Sequence, residues 1–465
     1  MSRRVLLVAY VFPPVGGIAA QRPLKFARYL PQFGWETTVL TTRDADAATI
    51  DPDLEKEIPD EVKVVRIRDP LTRWMRRMTR TSAGPLAPET RGEVAFLSRP
   101  SLLSRLKSPL VRFVRGLLKA TKRHLLIPDE AVLFALRAAW TATQLVRADE
   151  IACIYTTSGP NSVHLVGWLV HKVTGVPWVA DFRDPWTDNM HFKFRGLRKI
   201  MERWLESRVF LHAAHVVTVT ESFRTGFEHR HPAWAGRIRV IRNGVDPSDF
   251  PTLWSLPKPG PFVLFYAGIL YPSRNPKTVL QAVATAIRYH RIHTDDIRVV
   301  FAGVFDYPGS DENRRLVQDL GLDNVVVELG YLPRKRVLEQ LQTADALLLI
   351  GDRALQANQY IPGKLYEYLY AKRPILALLQ KGEAADLISE LRAGVVINPD
   401  DVQAVASQLV TWVRQKRKGS WPLPDAHIDS RRLAPFTRLG QTAELARVLD
   451  EMFPEEKSGR MTGNL

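Results

Sequence analysis

Asn358-Gln-Tyr-Ile-Pro-Gly-Lys-Leu-Tyr-Glu-Tyr-Leu-Tyr-Ala-Lys-Arg-Pro-Ile-Leu-Ala-Leu378 passes from loop to helix to buried strand without a break. Pro362 and Gly363 end an extended loop, and Lys364 to Ala371 then follow helical spacing, with Leu365, Tyr368 and Leu369 on one side. Lys372-Arg-Pro374 stops that helix and leads into an apolar run, Ile375–Leu379. A helix that begins at Lys364 offers unsatisfied N–H groups and its positive dipole end to an anion. Lys364 adds a full charge there. Glu367, one turn along, is placed to accept hydrogen bonds from sugar hydroxyls. An anion site beside a hydroxyl-reading carboxylate is what a nucleotide's diphosphate and ribose require. The plainer reading is a helix N-terminus with an incidental Lys and Glu, and spacing alone does not separate the two.

The same alternation of helix and strand runs from end to end, which predicts parallel α/β sheets. The first half has strand-like runs at Val5–Tyr10, Thr37–Leu40, Val62–Ile67, Ile151–Thr156, Trp178–Asp181, Val216–Thr220 and Arg239–Ile241, with a helix expected over Leu24–Phe33. After the proline-rich link Leu256-Pro-Lys-Pro-Gly260 the pattern restarts, with runs at Phe262–Ala267, Ile297–Ala302, Val325–Leu329, Ala346–Ile350, Ile375–Leu378 and Val395–Ile397. We therefore expect two doubly wound, Rossmann-like domains, 1–256 and 257–437, with a cleft between the carboxyl ends of their strands where ligands bind. Residues 454–465 are polar and expected to be disordered.

The chain has 465 residues and a formal net charge of +16, unevenly placed: Arg66 to Arg123 holds 15 Lys or Arg against three acids. Residues 69–125 interrupt the α/β alternation as a basic insertion. Within it Leu103, Leu106, Leu110, Val114, Leu117 and Leu118 share one helical face and Arg105, Arg112, Arg115, Lys119, Lys122 and Arg123 the other. A basic amphipathic helix suits an anionic membrane surface; the alternative is a surface helix packed on its own domain. The interleaved residues are leucines rather than stacking aromatics, which argues against nucleic acid. Cys153 is the single cysteine, so no intrachain disulfide or thiolate metal cluster is possible. Val5–Phe12 is too short to span a membrane and no cleavage site follows, so the expected location is cytoplasmic, peripheral at the inner membrane face.

Several short motifs carry candidate chemistry. Pro13-Pro-Val-Gly16-Gly17 follows the first strand, ahead of Gln21 and Arg22; paired glycines let backbone approach a ligand, although a strand–helix turn needs them too. It is not the G-x-G-x-x-G fingerprint of nicotinamide enzymes. Asp181, Arg183 and Asp184 end another strand in Val179-Ala-Asp-Phe-Arg-Asp-Pro-Trp186, either reaching into the cleft to acceptor hydroxyls or forming a structural Asp–Arg network. Arg242-Asn-Gly-Val-Asp246 reads as a turn. Asp44-Ala-Asp46 reads as an acidic loop, and no His/Cys/carboxylate cluster has metal-ligand spacing, so no metal and no bound cofactor is expected.

The Asn358–Leu378 segment resembles the donor-binding signature of the retaining, GT-B-type glycosyltransferases of family four, in which a Glu-x7-Glu element faces the nucleotide sugar. Glu367 matches the second Glu, which in that family holds the ribose, and Gln359 stands where the first touches the transferred sugar. By the same resemblance Gly16 and Gly17 match a glycine loop closing over the diphosphate. Gly268 matches the glycine at the end of the second domain's first strand. Arg274 occupies the position of a diphosphate-binding Lys, and Ile269 replaces the Arg expected beside it. Gly303 and Leu332 would lie near the base. Asp181 and Asp184 would face the acceptor, in a stretch similar to one found in bacterial members that build surface polysaccharides. A final helix at 438–453 would cross back to the first domain. His164 receives no general-base role.

The resemblance covers about residues 3–43 and 150–450. It implies a GT-B fold and a retaining transfer of a sugar from a nucleoside-diphosphate donor to a glycan or lipid-linked acceptor. Arg274, Lys364 and the N–H groups at Lys364–Leu365 would stabilise the departing diphosphate, with Gly363 among the donor-binding residues. A UDP-sugar epimerase of the same architecture and a non-catalytic, membrane-associated assembly partner are the alternatives.

Overall fold

Buried on both faces, strands of a parallel sheet read as continuous apolar runs, and the runs picked out above form two such sheets. The computed structural model describes residues 3–43, 50–69, 126–190, 194–250, 259–290, 292–307, 309–354, 356–421 and 430–453. Asp44-Ala-Asp46, the basic helix within 69–125 and the 454–465 tail lie outside the described residues.

The first sheet contains β1 (Arg3–Ala9), β2 (Trp35–Thr42), β3 (Lys63–Ile67), β4 (Ile151–Thr157), β5 (Trp178–Phe182), β6 (His215–Thr218) and β7 (Ile238–Val240), in the order β3-β2-β1-β4-β5-β6-β7. The second contains β8 (Phe262–Ile269), β9 (Ile297–Val304), β10 (Val326–Gly330), β11 (Ala346–Ile350), β12 (Ile375–Leu378) and β13 (Gly394–Ile397), in the order β10-β9-β8-β11-β12-β13. Every pairing in both sheets is parallel. Chain order reverses beside the first strand of each sheet, between β1 and β4 and between β8 and β11. These are the switch points where an open α/β sheet binds ligands. The loops singled out in the sequence, 13–17 and 268–274, leave from them.

The first helix begins at Ile18, not Leu24, and ends at Tyr29, so Pro23 lies inside it. Proline has no N–H for the carbonyl four residues back, which orphans the Ala19 oxygen. That oxygen accepts from Arg183 Nη1 at 2.7 Å instead. A cation from the far side of the switch point thus compensates the helix for its proline.

The chain also returns. The helix Arg438–Asp450 packs Leu445, Val448 and Leu449 into the first domain's core with Leu24 and Trp35, and Trp35 Nε1 donates to Asp450 at 3.0 Å. On its way it crosses the Asn-Gly-Val-Asp junction: Val245 N–H donates to Phe436 O at 2.9 Å and Arg438 N–H to Val245 O at 2.8 Å. A Cβ on Gly244 would lie 2.2 Å from Phe436 O and 2.1 Å from Gln441 Nε2. The glycine read as a turn is required for this crossing.

Candidate active site

The site is built where a sheet comes apart. β11 pairs with β8 at Leu264 and Phe265 and no further. Beyond that point the backbone of Ala267 has no strand beside it on that side, and buried backbone groups must find other partners. The helix Gly363–Ala371 supplies them: Ala267 N–H donates to Tyr368 Oη at 3.1 Å, and Ala267 O accepts from Lys364 Nζ at 2.7 Å. Lys364 and Tyr368 are four residues apart, one turn of one face. The ammonium of Lys364 also lies 4.1 Å from the centroid of the buried Tyr266 ring.

Tyr266 joins the two cations predicted to hold a diphosphate. Lys364 covers its ring face. Burial pushes its phenol up to about 12, while Arg274 beside the hydroxyl pulls the other way. The hydroxyl donates to Ile269 O at 3.2 Å. Gly268 and Gly303 pair across β8 and β9, both at positive φ (132° and 114°). A Cβ on Gly268 would sit 2.6 Å from Lys364 Nζ, and one on Gly303 would sit 2.3 Å from Gly268 O. Glycine at these strand ends lets the Lys364 ammonium lie directly against backbone. Leu332 is half-buried against the core that holds Leu365 and Leu369.

The helix begins at Gly363, one residue earlier than read from sequence. Its first N–H groups have no intrahelical acceptor. Leu365 is an exception to the expected set, because its N–H donates to Pro362 O at 2.9 Å.

Glu367 stands one turn into the helix, and its Oε1 accepts from Arg334 Nη1 at 2.6 Å. Arg334 Nη2 donates to Asp249 of the first domain at 3.0 Å, and Asp249 meets the fully buried Lys25 at 3.2 Å. Lys25 also binds Glu57 at 2.6 Å and Asp246 at 2.7 Å. Burial works against the Asp246 carboxylate, but Lys25 holds it down to about 2. A charge chain thus runs from the first helix across the domain boundary to the carboxylate expected to read ribose. Sequence gave no sign of Arg334, which sits in an Arg-Lys-Arg run that reads as a solvated face.

Beside this helix a cavity of about 170 Å³ is lined by Arg274, Asp352, Asn358, Tyr360 and Gln380, with Met190 entering from the first domain. Arg274 Nε is buried with no hydrogen-bond partner among the described residues. Asp352 Oδ2 accepts from Ser273 at 3.0 Å. Gln359, expected against the transferred sugar, is half-buried next to this wall rather than in it; its neighbours Asn358 and Tyr360 line the cavity.

On the first-domain side Asp181 does not reach into the cleft; it takes the other reading, a structural Asp–Arg network, with Arg22 as its partner. Its carboxylate is fully buried in a two-pronged pair with Arg22, at 2.9 and 3.1 Å, and accepts from Thr157 Oγ1 at 2.7 Å. Burial opposes the charge, yet Arg22 holds the carboxylate below its usual range. Arg22 Nη1 also donates to Arg242 O, binding the domain junction to β5. Asp181 is thus a structural anchor, and Asp184 is the carboxylate that is exposed. It lies near enough to Tyr360 that, after burial, it helps push that phenol up to about 12.

Arg183 lies between them beside the glycine loop, against Ala19 O and Gly159. Burial lowers its pKa, opposed by Asp181 and Asp184. Gly17, at φ 87°, caps the first helix and is exposed, with Gly16 beside it half-buried. His164 is buried, its Nδ1 shares a hydrogen bond with Thr156 Oγ1 (2.9 Å), which accepts from Trp178, and burial pushes it down to about 3. It is a neutral core residue. Among the described residues no group of three His, Cys, Asp or Glu could hold a metal ion.

The domains meet across this cleft. Glu383 accepts from the N–H groups of Glu221 (2.9 Å) and Ser222 (3.1 Å), capping a first-domain helix, and from Arg242 at 3.1 Å. Phe223 packs edge-on against Tyr360 at 4.7 Å.

Comparison with known proteins gives this arrangement a family. Residues 16–244 match the family described as glycosyl transferase 4-like domain, and residues 254–420 match glycosyl transferases group 1. No curated protein sequence matches the chain. Among solved structures, a glycosyltransferase from Rickettsia africae is similar at TM-score 0.63 and 13% identity, covering 98% of this chain and 99% of that one. Anabaena HepE, solved with UDP, is similar at TM-score 0.60 and 16% identity (97% and 100% covered). A UDP-GlcNAc 2-epimerase from Neisseria meningitidis, solved with UDP-GlcNAc, is similar at TM-score 0.52 and 11% identity (96% of this chain and 100% of that one covered). At such identities the structures share a fold and do not choose between transferase and epimerase. The two family matches do choose, and they fall one on each Rossmann-like domain: the chain belongs to the GT-B glycosyltransferases of family four.

Proposed function

We propose that this glycosyltransferase moves a sugar, with retention of configuration, from a nucleoside-diphosphate donor to a glycan or lipid-linked acceptor in the synthesis of a cell-surface polysaccharide. The observation that carries the donor reading is the pairing of Lys364 and Arg274 around Tyr266, at the open end of β8 and the start of the Gly363–Ala371 helix. Two cations, helix N–H groups and a carboxylate one turn along are the complement of a diphosphate joined to a ribose.

In this reading the diphosphate lies against Lys364, Arg274 and the Gly363 and Lys364 N–H groups. Glu367, oriented by Arg334, accepts from the ribose hydroxyls. The sugar enters the cavity walled by Asp352, Asn358 and Gln380. The acceptor hydroxyl approaches from the first domain, past Arg183 and Asp184. Its oxygen bonds to the anomeric carbon on the face from which the diphosphate oxygen departs, and its proton leaves with that oxygen. The transition state places growing negative charge where the cations already stand, which is the arrangement that lowers a barrier most.

The reaction itself provides a test. With a matched donor and acceptor, nucleoside diphosphate release should depend on acceptor, and proton NMR should show the product's anomeric configuration equal to the donor's. Donor converted to a stereoisomer with no acceptor present would instead favour the epimerase reading, and an inverted product would overturn retention.

A further inference from the structure

The helix Gly196–His212 carries an apolar face in addition to the one it packs into the core. Its two acids, Glu202 and Glu206, are buried (0 % and 1 % exposed) beside the core residues Val209 and Phe210, while Leu197 (72 %), Ile200 (66 %) and Trp204 (49 %) face solvent. The inward turn of the acids has a visible cause. Glu202 accepts from Trp186 Nε1 at 2.7 Å and Arg198 Nε at 3.0 Å, and Glu206 accepts from Thr187 N–H at 2.8 Å and Arg230 Nε at 3.2 Å. These bonds hold the segment that follows Asp184. On the outward face Trp204 meets Trp168 edge-on at 5.8 Å and stays half exposed, and Met201 and Leu211 are exposed too. An apolar stripe of this kind on a surface helix marks an interaction site.

The chemistry of the stripe selects its partner. The helix carries no acid besides the two buried ones, so the charges exposed beside the stripe, at Arg195, Lys199 and Arg203, are all positive. A second copy of the chain would set these cations against their own kind. Aliphatic residues and a tryptophan bordered by Lys and Arg instead match a bilayer's anionic headgroup region above its acyl chains. We infer that the exposed face of Gly196–His212 docks the protein on an anionic lipid surface. Met190, just ahead of this helix in the chain, lines the interdomain cavity, so docking places the cleft mouth near the bilayer. The docking stands on the helix alone; its role in delivering a lipid-linked acceptor rests on the function proposed above.

The test is flotation of the full chain with vesicles of phosphatidylcholine, with and without phosphatidylglycerol. Binding is expected only with phosphatidylglycerol, and should weaken as salt rises. Replacing Leu197, Ile200 and Trp204 together by serine should weaken it by about tenfold or more. Changing Arg195, Lys199 and Arg203 to glutamine should weaken it by roughly a hundredfold. Both variants should keep the wild-type circular dichroism and the wild-type thermal stabilisation by nucleoside diphosphates, so a failure of docking is separable from a failure of the donor reading. Folded variants that float as wild type does would overturn the assignment. So would a wild type that binds no vesicle but self-associates in light scattering through the same residues.

Discussion

Replacing Lys364 with methionine should lower turnover by roughly 10²–10³-fold, the loss usual when one preorganised charge donor to a transition state is removed. The ammonium is held by Ala267 O at 2.7 Å and by the face of Tyr266, so in the proposed function it would meet the substrate already placed and partly desolvated. Methionine keeps the length and the apolar stem and removes the charge. Its structural cost is the bond to Ala267 O, about 1–3 kcal/mol if that carbonyl is left unpaired. Tyr368 still holds the Ala267 N–H, so the strand end should stay in place. Steady-state kinetics beside a melting curve separate the two effects. A variant that melts a few degrees lower yet turns over at the wild-type rate would remove Lys364 from the mechanism.

Asp181→Ala should destabilise the fold by roughly 3–5 kcal/mol, because it strands the Arg22 guanidinium as a buried charge without its partner. Arg22 is 1 % exposed and Asp181 0 %, and the pair joins the first helix to β5 and, through Arg242 O, to the domain junction. The remedy distinguishes anchoring from chemistry. A double variant, Arg22→Met with Asp181→Leu, removes both charges and should be more stable than Asp181→Ala alone, as replaced buried pairs often are. Urea titrations of the wild type and both variants measure this. If Asp181→Ala keeps full stability but loses activity, the carboxylate acts on the substrate and the anchoring account fails.

How much of this was legible in the sequence depended on how far apart the interacting residues lie. The strands could be read because a parallel sheet covered on both faces demands unbroken apolar runs. The Lys364–Glu367 spacing could be read because helical neighbours are fixed by the backbone itself. The first helix was misplaced because Pro23 looks like a barrier, and the compensation for its missing N–H comes from Arg183, 164 residues away from Ala19. The two readings of Asp181 stayed open for the same reason: its partner Arg22 is 159 residues distant. Arg334, which orients Glu367, resembles any solvated arginine until the helices are packed. The Leu365 N–H was counted as a donor because only the loop geometry shows that Pro362 O has taken it.

The measurement that bears most directly on the donor site is the thermal stabilisation of the protein by a panel of nucleoside diphosphates and their sugars, in the wild type and in Glu367→Ala. A ligand that binds the native state adds about 2.7 kcal/mol at a hundred times its dissociation constant. The site described here predicts stabilisation by one base family, with much of it lost when Glu367 is removed. A wild type that no nucleoside diphosphate stabilises, or a Glu367→Ala protein stabilised as fully as the wild type, would contradict it.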